Sequence, residues 1–179
     1  MTEGAKGALC GDPGIAGESI APVVSRVRGC GIPVAVKVTA VAGVRLSTPA
    51  TIDCPTAIAL KNWVQTGLKP AVGTTGGGVA TLTVFGSYEC RPVDDIRGAK
   101  LSLHAQGKAI DIGGFTLANG KAIMVASDWR KPGDGKLLKT AYHAACGIFG
   151  TTLGPDGDRF HQTHMHFDTA HYNGGAYCH

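Results

Sequence analysis

The residues best suited to chemistry fall in two short stretches. In SLHAQGKAIDI, residues 102 to 112, His104 and Asp111 stand on either side of Gly107. In HQTHMHFD, residues 161 to 168, His161, His164 and His166 place three of the chain's seven histidines close together. Imidazole nitrogen and carboxylate oxygen are donors that zinc takes, and a hydrolytic zinc keeps three protein ligands and one open position. His104, Asp111 and one of the tail histidines would supply that set. Read as a strand, the second stretch sends His164, His166 and Asp168 to one face and Met165 and Phe167 to the other. Singly, His104 reads as a surface residue and Asp111 as a strand-edge carboxylate or helix cap. Jointly with the histidine cluster they read as a metal site, with Gly107 and Ala109 adding little bulk near the proposed ion.

These residues need a scaffold, and the apolar pattern predicts one. PVAVKVTAV, residues 33 to 41, alternates Val34, Val36 and Val38 against Lys37 and Thr39, the pattern of a half-buried strand. In residues 51 to 70 Asp53 caps a helix with Pro55 in its first turn. Ala57, Leu60, Trp63, Val64 and Leu68 share one face of it, and Pro70 is expected to end it. GTTGGG, residues 73 to 78, lacks the Lys-Ser or Lys-Thr of a phosphate loop and reads as a flexible connection. VATLTVF, residues 79 to 85, alternates again, and Asn119-Gly120 between two apolar runs predicts a hairpin. Leu138, Ala141, Tyr142, Ala145 and Phe149 mark a second helix closed near Gly150, and residues 165 to 170 a last strand. The order predicts an α+β single domain whose central, mainly antiparallel sheet carries the site between flanking helices. Residues 1 to 32 read as a Gly/Pro-rich segment tied on by disulfides, and residues 33 to 179 as the domain proper.

With 44% hydrophobic and 17% charged positions among 179 residues, the chain can bury a core and is not disordered. Its 17 Lys and Arg are scattered without a basic run and aromatics are few, which argues against nucleic acid. The net charge of +4 suits an anionic polymer such as a bacterial cell wall. Cys10, Cys30, Cys54, Cys90, Cys146 and Cys178 are dispersed with no CxxC, which predicts three disulfides, Cys146 with Cys178 among them, and an oxidising compartment. No apolar leader core opens the sequence, so an exported protein would here be numbered from a mature form with an added Met1. No stretch has transmembrane length, and a monomer is expected.

SxHxxGxAxD at Ser102, His104, Gly107, Ala109 and Asp111, followed by HxH at His164 and His166, resembles the metallopeptidase group of lysostaphin-type enzymes, D-Ala-D-Ala carboxypeptidases and sonic hedgehog. Through CGIPVAV, GVRLSTPATIDCP, GSYECR, LSLHAQGKAIDIGGFTL, FGTTLGP and HMHFD, the chain resembles more closely the extensin-like C-terminal family of bacterial proteins. The first resemblance implies His104, Asp111 and His166 as zinc ligands and leaves His164 free. Where many carboxypeptidases of the group carry a Glu general base, this chain has Thr163. His161, His164 and His166 instead match the HxxHxH of penicillin-insensitive murein endopeptidases, which implies a histidine base, His161 or His164. Arg91 resembles an arginine that these enzymes set near the substrate carbonyl or carboxylate.

The implied function is a zinc-dependent peptidase acting on peptidoglycan, periplasmic or secreted. The alternative is a non-catalytic zinc module that binds cell wall or a partner. Asp168 is read either as an orienting partner of a zinc-bound imidazole or as a plain strand-end carboxylate. His143, His171 and His179 are expected in solvent, and Trp129 and Tyr88 in the core rather than in a groove.

Overall fold

Apolar β-branched residues at alternate positions build the frame. The computed structural model describes residues 8–179; Met1, read above as an addition, lies outside the described residues. β4 (Ala35–Val41) buries Val36, Val38 and Val41 and exposes Lys37 and Thr39. Val34 precedes the strand and stays exposed, against the expected alternation. Among the described residues nine strands form one mixed sheet, completed by β1 (Ile15–Ile20), β5 (Val44–Asp53), β6 (Val79–Gly86), β7 (Ala109–Leu117), β8 (Ala122–Met124), β9 (Thr151–Leu153), β10 (Met165–Asp168) and β11 (Tyr177–Cys178). The order is β1-β4-β5-β6-β7-β10-β9-β11, with β8 beside β7. Among these described strands β5 with β6 and β9 with β11 pair in parallel and the other pairs are antiparallel, so the sheet is mainly antiparallel. The Asn119-Gly120 hairpin is present between β7 and β8. Within residues 1–32, β1 pairs with β4 and belongs to the sheet itself, while β2 (Val23–Val24) and β3 (Gly31–Ile32) make a separate small hairpin.

Two helices cover one face of the sheet. Asp53 Oδ1 accepts the N–H of Thr56 at 3.0 Å, capping the helix Cys54–Trp63; such a cap stabilises by about 0.5–2 kcal/mol. The helix does not stop at Pro70. A π turn over Val64–Leu68, closed by the Lys69 N–H on the Val64 carbonyl, carries the chain into Lys69–Val72. The wider turn accommodates a proline that has no N–H to give, and Gly73, at φ 58°, ends the run. The second helix, Asp134–Ala144, buries Leu138, Ala141 and Tyr142, and Phe149 lies beyond its end but is still buried. Trp63 joins the two helices by donating Nε1–H to the Ala141 carbonyl at 2.8 Å. Its ring meets Phe167 edge-on at 5.0 Å, and Phe149 stacks on Phe167 at 5.0 Å. Met165 and Phe167 therefore point into the core, which commits the alternate residues of β10 to the opposite face.

Three disulfides brace the domain: Cys10–Cys54, Cys30–Cys90 and Cys146–Cys178. The last pins β11 to the end of the second helix, as expected. Among the described residues no helix is long and apolar enough to cross a membrane.

Candidate metal centre

Strand register assembles the centre of the site. Asp111 on β7 lies directly opposite His166 on β10 and, across its other edge, opposite Gly86 on β6. A Cβ on Gly86 would come within 3.3 Å of Asp111 Oδ2, so the glycine leaves the carboxylate its space. His104 arrives from a short 3₁₀ turn, Leu103–Gln106, whose first N–H groups are met by Ser102: its Oγ accepts from the His104 N–H. Gly107 then reverses the chain into β7 at φ +67°. A Cβ there would meet Ile32 Cδ1 at 2.4 Å. The glycine thus serves the turn and its packing, and its value near an ion, expected from the sequence, is not the reason it is needed.

The ring nitrogens can be assigned from their partners. His104 Nδ1 faces the Ser87 carbonyl at 2.6 Å, and a carbonyl only accepts, so Nδ1 carries the proton. His166 Nε2 faces Asp168 Oδ2 at 2.8 Å and donates to it. In the neutral rings the remaining nitrogens, His104 Nε2 and His166 Nδ1, present lone pairs. Both lie beside one oxygen, Asp111 Oδ1, at 3.2 and 3.1 Å. The His104 Nε2 is buried and finds no aligned hydrogen-bond partner in the protein. The ligating atoms of His104, Asp111 and His166 lie within 4.8 Å of one another. Acceptors converging in a buried space call for a positive charge between them, and this nitrogen and oxygen set fits zinc.

Electrostatics agree with that demand. Burial disfavours the charged form of Asp111, but the imidazoles of His104 and His166 against it outweigh that and hold the carboxyl far below the usual range. Burial likewise opposes charge on His166, yet Asp111 and Asp168 prevail and push the imidazole up to about 9. Without a metal, the cluster obtains its cation by protonating histidine.

Two more imidazoles flank this centre from the loop between β9 and β10. His161 is buried, and its Nδ1 donates to Asp158 Oδ1 at 2.7 Å, leaving Nε2 as the free lone pair. Its ring lies 5.1 Å from that of His164 and 5.8 Å from that of His166. His164 Nε2 lies 3.9 Å from Asp111 Oδ1. Burial lowers the pKa of His164, and the other imidazoles add to the effect against the pull of Asp111. Arg91 reaches Asp111 Oδ2 with Nη2 at 3.8 Å, its Nε held by Glu89 Oε2 at 3.0 Å. Thr163 is exposed.

His104, Asp111, His161, His164, His166 and Arg91 thus all line one groove of about 540 Å³, together with Asp168. His143, His171 and His179 are exposed, Trp129 is buried in the core and Tyr88 is half-buried. Sequence reasoning missed Asp158 and the Ser87 carbonyl. Asp158, three residues before His161, was available as a local carboxylate–imidazole spacing; a backbone carbonyl leaves no trace in residue type.

The family model for the extensin-like protein C-terminus matches residues 13–179. The chain belongs to that family. No curated protein and no solved structure matches this extensin-like domain.

Proposed function

We propose that this extensin-like domain is a zinc-dependent hydrolase of peptidoglycan peptide cross-links or stem peptides, with His104, Asp111 and His166 holding the ion. The observation that carries the reading is the convergence of His104 Nε2 and His166 Nδ1 on Asp111 Oδ1, with a second pair of imidazoles in the same groove. The resemblance of SxHxxGxAxD and HxH to the lysostaphin, D-Ala-D-Ala metallopeptidase and sonic hedgehog group, and of His161, His164 and His166 to the HxxHxH of murein endopeptidases, supports the reading. The chemistry that zinc supplies when bound is Lewis acidity toward a carbonyl oxygen and acidification of water.

The chain's own groups do the rest. His161 accepts a proton at Nε2 and returns it to the leaving amine, while Asp158 on Nδ1 fixes the tautomer and steadies the charge that results. His164 is the second carrier, and its lowered pKa keeps it neutral as an acceptor. Arg91 offers a fork of donors to the carbonyl or terminal carboxylate of the peptide, oriented by Glu89. The three disulfides support a periplasmic or secreted site of action.

Digestion of purified sacculi and defined muropeptides, with mass analysis of the products, tests the reading. New amine and carboxyl ends that vanish with chelator and return with zinc are expected. Intact substrate under both conditions overturns it. The second reading, the non-catalytic zinc module, would need a fourth protein ligand; the nearest further imidazole is His164, whose Nε2 lies 3.9 Å from Asp111 Oδ1 but outside the set of donors within 4.8 Å of one another. Zinc loss in His164→Ala would select that module.

A further inference from the structure

Two strands from His166 the groove changes character, and its wall becomes aromatic. Tyr172 and Tyr177, each half exposed, line the same cavity as the metal donors. Thr151 on β9 ties them to the site. It lies opposite Asp168 on β10 and opposite Tyr177 on β11, and its hydroxyl shares a hydrogen bond of 2.9 Å with that of Tyr172. Phe160, next to His161, adds a third partly exposed ring to the groove.

Phe149, Phe167 and Tyr142 are buried on the other side of the sheet, whereas Tyr172 and Tyr177 stand half exposed in the groove. The exposed pair is also held firmly. Strand pairing and the Cys146–Cys178 bond fix the backbone of Tyr177, and the His179 ring lies 4.5 Å from its own. Rings immobilised before a ligand arrives cost little entropy on binding. Apolar faces bordered by hydroxyls suit a ligand with a C–H face and a polar edge, which is the chemistry of a pyranose ring. A purely apolar side chain would cover the rings and leave unused the hydrogen-bonding capacity that the Tyr172 hydroxyl keeps beyond its bond to Thr151.

We infer that Tyr172 and Tyr177 form a saccharide subsite, on which a sugar ring stacks beside the hydrolytic centre while its hydroxyls bond those of Thr151 and Tyr172. The inference rests on the groove being the substrate site proposed above, and it adds a glycan to what that site recognises.

The test is binding, not turnover. The full chain, kept in chelator, is titrated with soluble hexamers of β-1,4-linked N-acetylglucosamine and of β-1,4-linked glucose, followed by calorimetry and by NMR of the aromatic rings. At least one hexamer should bind and shift the Tyr172 and Tyr177 ring signals. Tyr172→Ala and Tyr177→Ala should weaken binding by about tenfold or more, and Tyr177→Phe should retain it. If neither hexamer shifts those signals at millimolar concentration, or if binding survives both alanine changes undiminished, the subsite is wrong. Should an alanine variant fail to fold, the ring shifts of the unaltered protein decide the matter. Binding without cleavage of sacculi would sink the hydrolase and leave the subsite; cleavage without hexamer binding would do the reverse.

Discussion

Asp168 accepts the Nε2–H of His166 at 2.8 Å from two residues along the same strand, and so decides which nitrogen of His166 faces Asp111. Its other oxygen accepts the Ala170 N–H at 3.0 Å, which holds the carboxylate in place. A zinc ligand whose orienting partner is removed typically loses about 10–100-fold in metal affinity. Asp168→Ala is therefore expected to weaken zinc by about that factor, and Asp111→Ala by more, because it removes a donor and its charge. Competition with a chromophoric chelator measures both. Unchanged affinity in Asp168→Ala would reduce that residue to a strand-end carboxylate.

His161 should be dispensable for metal and needed for turnover. His161→Ala is expected to keep zinc near one ion per chain and to lower muropeptide hydrolysis by about 10²-fold or more, the usual scale for a lost general base. Asp158→Ala should lower it less, since it misorients the base without deleting it. Elemental analysis beside the rate measurement separates the cases: zinc loss in His161→Ala would make that residue a ligand.

Acid should weaken the fold partly through Asp128. Lys131 Nζ, at 2.6 Å, and the Met124 N–H, at 2.8 Å, hold its carboxylate below the ordinary 3.8. A group depressed on folding contributes stability that is complete above its unfolded value and lost as pH falls through the folded one. Asp128→Asn should thus melt lower than the unaltered protein at neutral pH, and the two should converge as pH drops below 3.8. Parallel melting curves across the whole acid range would remove Asp128 from the account.

The Cys146–Cys178 bond closes a span of 32 residues and should stabilise by about 2–4 kcal/mol. The Cys146→Ser, Cys178→Ser double variant is expected to melt about 4–16 °C lower, at about 2–4 °C per kcal/mol for a domain of this size. Thermal unfolding reads this directly. Six free thiols in denatured, unreduced protein would overturn all three pairings.

Much of the fold was legible because local rules and burial agree. The alternation in residues 35 to 41, the Asp53 cap and the Asn119-Gly120 turn each state their own structure. Pro70 misled because a π turn upstream absorbs it, and that adjustment depends on the buried face running from Trp63 to Leu68. Val34 misled because alternation says nothing of where a strand begins. In the site, donor type pointed to His104, Asp111 and one of the tail histidines, the family resemblance singled out His166, and the i, i+2 rule put His166 and Asp168 on one face. Invisible in the sequence were the parallel pairing of β9 with β11, which brings Tyr177 to the groove, and the Ser87 carbonyl that fixes the His104 tautomer. Both depend on contacts between distant segments.

The direct pairing of Asp111 with His166 makes the sheet's register and the donor set the same fact. Sliding β10 by one residue would turn His166 toward the helices and bring an apolar neighbour, Met165 or Phe167, to the groove. A chain folded with that error keeps its hydrogen-bonded ladder but loses the cage of acceptors around Asp111. An ion held by all three donors, as proposed, would therefore inspect the pairing of strands far apart in sequence, and would withdraw correctly zipped molecules from the pool of misaligned ones by mass action. Occupancy would then be a certificate of assembly as well as a condition for chemistry.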